Sequence, residues 1–329
     1  MITTVNVDSV QAIAVPTPWP VGPVNVYLIE DDPLTLVDTG PAYPPAIAAL
    51  EAALAAGGRR VEDLERIVVT HQHIDHWGLA AHLAERSGAE VCALEGLDRW
   101  LADYPASLVA EDGFADDLLR EHGGGAAVGR LHRQDRDYAD GVTVDRTLRH
   151  GDVLEFAHRR LRVLHRPGHS RSDTVLHDEQ RRILLGADHV LSKRSVAILS
   201  PPLDNRAAPE RGRPRALAQY MTSLRTTAAM DLQVVLPGHG APLRDHRAVI
   251  ADRLGGYARA RAGVAAAIGD VPRTAVEVAE SLRGPIRRDA MFFALCDVLG
   301  HLDALLDDGA IEETRDADGL TRFTRTTRG

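Results

Sequence analysis

The sequence predicts a mixed α/β (α+β) fold in two parts: a layered strand-and-helix domain over residues 1–248 and a small helical domain over residues 249–329. Three observations predict it. Short β-rich apolar runs alternate with turns and helical stretches through the first two thirds of the chain. Several of those runs end abruptly in histidine or aspartate, as in VVTHQHIDHWG over residues 68–78. Beyond about Ala251 the chain becomes Ala/Arg-rich and helical, then closes on a strand–turn–strand pattern.

In chain order, VNVYLIE (24–30) and LTLVD (34–38) read as a hairpin turned by DDP. Residues 46–56 place Ile47, Leu50 and Leu54 on one helical face, and Gly57 and Gly58 stop that helix. RIVVT (66–70) is a strand that ends at the histidine cluster. Residues 97–150 read as a helical, partly acidic insertion able to cover a site. Strands resume at LRVLH (161–165), DTVLH (173–177), RILLGAD (182–188) and QVVLP (233–237), with an exposed Pro/Arg-rich loop over residues 201–214. In the last part, residues 252–268 are helical, TAVE (274–277) is a capping box, and Asp289 is placed to cap a further helix. Phe292, Cys296, Leu299, Leu302 and Leu306 give that helix one buried face, and Gly309 ends it. AIEET, the turn DADG and LTRFTRT complete a hairpin, so three helices and a wing make a winged-helix pattern.

Composition narrows the function. The chain has 329 residues, 44% hydrophobic and 26% charged, as in a globular protein. No apolar run approaches the ~20 residues of a membrane span. The N-terminal stretch lacks the basic start and apolar core of a signal peptide, so a cytoplasmic location and no membrane partner are expected. Cys92 and Cys296 read as buried small hydrophobes, not a disulfide framework. The net charge of −9 argues against nucleic acid, and residues 251–329 carry 11 arginines against 13 acidic residues. Lys193 is the only lysine.

The chemistry is carried by four motifs. His71-x-His73-x-Asp75-His76 puts four ligand-type side chains in one loop, enough to serve two adjacent metal ions. Pro167-Gly168 aims His169 after one strand, and Pro237-Gly238 presents His239 after another. LLGAD ends a buried strand in Asp188, whose charge requires a partner. Trp77 reads as a pocket wall or as core. His189 reads as a substrate hydrogen-bonding group or a solvent-facing side chain. Ser170, Arg171 and Ser172 read as entrance residues, with a solvated arginine the simpler reading of Arg171. His82, His122, His132 and His301 read as structural or surface residues.

The series HQHIDH, PGH, GAD and PGHG, with Asp38-Thr39-Gly40 upstream, resembles the metallo-β-lactamase superfamily over residues 10–245. The resemblance implies an αββα sandwich with a dinuclear site along one edge of its two sheets. It implies that His71, His73 and His169 hold one metal, that Asp75, His76 and His239 hold the second, and that Asp188 bridges both. Asp38 then supports the metal loop without ligating. Ala187 stands where the family usually has glycine, a departure expected to touch strand packing only. The tail is similar to that of the β-lactamase-like-protein-2 subgroup, through YMTSLRTT (220–227) and FFALCDVLGHLDALLDDGAIEE.

These readings lead to a metal-dependent hydrolase with two divalent ions, zinc first and manganese or iron as alternatives. A metal-bridging hydroxide is the expected nucleophile. Asp75 and His76 are the expected catalytic residues, Asp75 also orienting the nucleophile or moving a proton. The leading substrate class is a small-molecule thioester or related acyl ester. A single-strand endoribonuclease is the alternative, drawn from the winged helix and the basic stretch at residues 322–328. A persulfide-dioxygenase-like iron enzyme and a non-catalytic binding module rank below these. The tail is compatible with a homodimer.

Overall fold

The computed structural model describes residues 5–129, 137–193, 195–203 and 213–326. His132, most of the 201–214 loop and the last residues of the basic stretch lie outside them. One sheet has seven strands in sequential order: β1 (Val5–Val7), β2 (Val10–Val15), β3 (Val24–Ile29), β4 (Thr35–Val37), β5 (Arg66–Val69), β6 (Glu90–Leu94) and β7 (Arg146–Leu148). The expected hairpin is the β3–β4 pair, and β4 to β7 run parallel. The second sheet holds β8 (Val153–Glu155), β9 (Arg160–His165), β10 (Thr174–Asp178), β11 (Ile183–Ala187) and β12 (Val234–Pro237), in the order β12-β11-β10-β9-β8.

Apolar alternation makes the sandwich. Tyr27, Val37, Val68 and Cys92 of the first sheet bury their side chains against Leu161, Val163, Leu176 and Leu185 of the second. The outer face of the first sheet packs under α1 (Pro44–Ala56) and α3 (Ala80–Ser87), through Leu50, Leu54 and Leu83. The short α2 (Ile74–Trp77) lies between β5 and α3 in the chain. The outer face of the second sheet packs under α6 (Ala216–Ala228), where Leu184 and Val235 meet Tyr220 and Leu224. The result is a four-layer αββα arrangement.

Residues 97–150 are not helical throughout. Helices α4 (Leu97–Ala102) and α5 (Tyr104–Glu121) occupy the first half, but Arg146–Leu148 is a strand, pairing with β6. That run is too short, and too mixed in polarity, to announce itself as a strand.

The expected boundary at residues 248/249 falls inside one helix, α7 (His246–Ala267). After it come α8 (Ala275–Arg283), α9 (Met291–Asp307) and the hairpin β13 (Ile311–Arg315) with β14 (Thr321–Arg325). Thr274 caps α8 as a capping box with Glu277. Asp289 does not cap α9; Ala290 holds that position, and Asp289 pairs with Arg287 instead. The apolar faces of α7, α8 and α9 share one core with α5, α6 and the second sheet, so the C-terminal helices are built onto the sandwich.

His122 closes this shared core. It is fully buried, stacks on Phe323 at 6.0 Å, and lies 3.4 Å from the Arg213 guanidinium. Burial, reinforced by Arg213, pushes its pKa down to about 3. A depressed folded value means that the stability present above the unfolded pKa of about 6.5 is lost as pH falls towards 3. We expect wild type to lose about 1.4 kcal/mol of stability per pH unit in that window relative to His122→Phe. Thermal melts of both proteins from pH 7.5 to 5 check this; parallel curves would refute it.

Candidate metal centre

The histidine cluster forms because β5 and its neighbours are saturated with apolar contacts up to Val69, and the chain then turns into α2. His71 and His73 lie in the turn, while Asp75 and His76 begin α2. His169 follows β9, Asp188 follows β11 and His239 follows β12. Ends of strands from both sheets therefore meet at one edge of the sandwich. All seven sequence-predicted site residues are gathered there.

They form two nearly continuous triads. His71, His73 and His169 have ligand atoms within 4.8 Å of one another, as do Asp75, His76 and His239. Asp188 lies between the triads. Its carboxylate is 3.4 Å from His76 Nε2, 3.6 Å from His169 Nε2 and 3.7 Å from His239 Nε2. Asp75 lies 3.2 Å from His239 Nε2. His76 Nε2, His239 Nε2 and Asp188 Oδ1 are buried without a hydrogen-bond partner. Buried polar atoms in folded proteins are satisfied. Three orphaned donor atoms converging on one space fit divalent cations, and the nitrogen and oxygen set fits zinc, manganese or iron.

The outward ring atoms are fixed from behind. His76 Nδ1 donates to Asp38 Oδ2 at 2.7 Å, while Thr70 donates its N–H and hydroxyl to the same carboxylate. His239 Nδ1 donates to Pro23 O at 2.9 Å. Each bond leaves Nε2 as the lone-pair atom facing the cluster.

The electrostatics follow from burial and crowding. Burial, with His76 and His73 as neighbours, pushes His71 well below its ordinary value, and burial with His169 pushes His73 down to about 3. Burial opposes a charge on Asp188, yet His76, His239 and His169 outweigh it and hold the carboxyl well below the usual range. Burial likewise opposes a proton on His76, and Asp75, Asp188 and Asp38 override it. Without a cation the surrounding carboxylates thus favour a proton on His76 Nε2, and a cation that displaces it meets the lone pair.

Backbone geometry makes the convergence possible. A Cβ at Gly238 would lie 2.3 Å from Asp188 Oδ1 and 2.7 Å from His76 Cε1. Only glycine lets the His239 loop pass that close. Ala187 does more than pack: its φ is +40°, beside a register shift between Leu185 and Ala187. The left-handed backbone costs alanine about 1 kcal/mol, and it is what turns Asp188 off the strand into the site.

A cavity of about 240 Å³ opens over the cluster. His73, Asp75, Asp188 and His239 form its floor, and Trp19, Tyr104, Leu108, Ile198, Phe292 and Phe293 give it apolar walls. Tyr104 and Leu108 come from α5, and the phenylalanines from α9. The walls were not foreseen in the sequence, apart from the covering role of the insertion. The adjacent Phe292 and Phe293 were the available signal, since neighbours on a helix cannot both face one core. Phe292 is buried and Phe293 is 40% exposed.

The weaker candidates lie elsewhere. Trp77 is core, edge-on to Tyr104 and donating to Gln72 O. His189 neither meets the cavity nor faces solvent; it is buried against the Thr227 hydroxyl. Ser170 and Ser172 are buried beneath the ligand loops, bonded to Asp173 and Gln72, and Arg171 donates to Ser200 O.

Residues 19–239 match the metallo-beta-lactamase superfamily. The chain belongs to that superfamily. Residues 262–326 match the metallo-beta-lactamase-like C-terminal domain. This superfamily member is 33% identical to the probable metallo-hydrolase YqjP of Bacillus subtilis over 312 residues, 92% of this chain and 94% of that protein. It is 30% identical to the acyl-coenzyme A thioesterase MBLAC2 of Gallus gallus, over 65% of this chain and 72% of that protein. The crystal structure of the metallo-beta-lactamase family protein TTHA1429 from Thermus thermophilus superposes with a TM-score of 0.81 at 28% identity, covering 97% of this chain and 99% of that one. A beta-lactamase domain protein from Burkholderia ambifaria gives 0.81 at 27% identity, covering 98% and 94%. The protein is a metal-dependent hydrolase. No helix among the described residues is long and apolar enough to cross a membrane.

Proposed function

We propose that this hydrolase cleaves acyl thioesters at a dinuclear centre. The observation that carries the reading is the apolar cavity whose floor is the ligand cluster. An acyl chain fits its walls, and the carbonyl then lies over Asp75, Asp188 and His239. Likeness to an acyl-coenzyme A thioesterase supports the same class. His71, His73 and His169 would hold one ion and Asp75, His76 and His239 the other, with Asp188 shared between the two sets and zinc a metal that suits these donors. When bound, the ions supply a water acidic near pH 7 and a Lewis acid for the carbonyl.

The protein's own groups do the rest. Asp38 holds His76 in the tautomer that offers Nε2. Asp75, ionised and on the cavity floor, is placed to orient the attacking water and accept its proton. The aromatic walls exclude bulk water and position the acyl group. We read the C-terminal helices and wing as packing elements that complete the cavity, not as a guide for RNA.

Zinc- and manganese-loaded protein, offered acyl-CoA and acyl-glutathione panels beside single-stranded RNA, tests the reading. Metal-dependent thiol release with intact RNA is expected; RNA cleavage without thiol release would replace the proposal with a nuclease. Phe292→Ala should lower kcat/KM for longer acyl chains by about tenfold and leave acetyl thioesters nearly unchanged. Equal losses along the series would remove Phe292 from the substrate wall.

A further inference from the structure

The segment that follows Asp188 has an unusual set of partners. The carbonyls of His189, Leu191, Lys193 and Ser195 are each taken by a side chain. Tyr220 of α6 donates its hydroxyl to His189 O at 2.7 Å. Arg253 of α7 donates to Leu191 O at 2.6 Å and to Lys193 O, and to the Tyr220 hydroxyl at 3.1 Å. Tyr257, one turn further along α7, donates to Ser195 O at 3.2 Å. These carbonyls are satisfied by helix side chains, with no β partner.

Those side chains are themselves held rigid. Arg253 and Tyr257 are buried, at 7% and 2% exposure, and four residues apart they share one face of α7. A buried guanidinium requires hydrogen-bond acceptors, and these carbonyls supply them.

The segment ends on a member of the ligand cluster. Ser195 Oγ lies 2.8 Å from His169 Nδ1, and Val196 O lies 3.1 Å from the same nitrogen. Ile198 N donates to His169 O at 3.1 Å. With Nε2 turned towards the cluster, Nδ1–H donates to Ser195 and Val196, which sets the rotation of the imidazole. Asp188 stands at the start of the segment, so both of its ends touch the site.

We propose that Ser195, Arg253 and Tyr257 are positioning residues for the metal centre: α7 straps the backbone at Leu191, Lys193 and Ser195 so that Ser195 and Val196 orient His169. The proposal rests on the ligand set given above, and it makes α7 a working part of the site.

The test is a zinc dissociation constant, measured by competition with a chromophoric chelator, on the full chain. Ser195→Ala should weaken the affinity for one of two ions by 10- to 100-fold. Ser195→Thr should restore it, and Tyr257→Phe should weaken it in the same direction by a smaller factor. The melting temperature of the metal-free protein should stay at the wild-type value in all three. Wild-type affinity in both Ser195→Ala and Tyr257→Phe, beside a clear loss in His71→Ala, would overturn the strap and leave the ligand set standing. Wild-type affinity in His71→Ala would overturn both. An affinity loss matched by a fall in metal-free stability would also overturn the proposal, reducing the contacts to packing.

Discussion

Asp188→Ala is expected to reduce kcat/KM by at least ~10³-fold and to lower the protein's bound metal content. The Asp188 carboxylate lies within 3.7 Å of three imidazole nitrogens from three different loops. Removing it leaves Asp75, beside His239 and His76, as the remaining carboxylate of the cluster and takes away the anion next to His169, so cations brought to the His71, His73 and His169 side would meet only neutral donors. Asp188→Asn keeps the shape and removes the charge, so it should fall close to alanine if charge is what matters. Metal analysis and thiol release are the two readouts. Unchanged ion content with unchanged turnover in Asp188→Ala would mean that the site is elsewhere.

Gly238→Ala should be nearly as severe, although Gly238 offers no ligand. The added methyl would sit 2.3 Å from Asp188 Oδ1 and 2.7 Å from His76 Cε1. Neither neighbour can yield freely. His76 is tied to Asp38 at 2.7 Å, and the Gly238 backbone is pinned by Asn25 N at 2.6 Å and Ala187 O at 2.7 Å. Displacements of this order at a reacting centre cost about 100-fold, and a similar loss of metal affinity is expected. A variant that folds, binds as much metal as wild type and turns over normally would show that the loops move apart without consequence, and the close packing of Gly238 would carry no functional weight.

The site was far more legible in the sequence than its surroundings. His71, His73, Asp75 and His76 lie within six residues, and His169, Asp188 and His239 each follow an apolar strand, so local pattern alone nominated them. The hairpin of β3 and β4 and the capping box at Thr274 were legible for the same reason: their signals span a few residues. What depends on distant partners was not. Arg146–Leu148 becomes a strand only because β6 offers a free edge. His189 is buried against a hydrogen-bond partner 38 residues away, the Thr227 hydroxyl. Phe292 reaches the cavity because α9 packs against α5, a contact between segments about 180 residues apart. Ala187 looked like a packing change; its cost is conformational, and no neighbouring residue announces a left-handed backbone.

The strap behind Asp188 carries the chain's only lysine, and Lys193 is exposed there while its carbonyl is held by Arg253. Amine-directed reagents will therefore find one side chain in the whole protein, the α-amino group aside. A fluorophore or spin label can be placed a few residues from Asp188 and Ser195 without engineering a cysteine or blocking competing amines. Its mobility would report whether the strap is taut, in the wild type and in Tyr257→Phe alike, with no substrate in the assay.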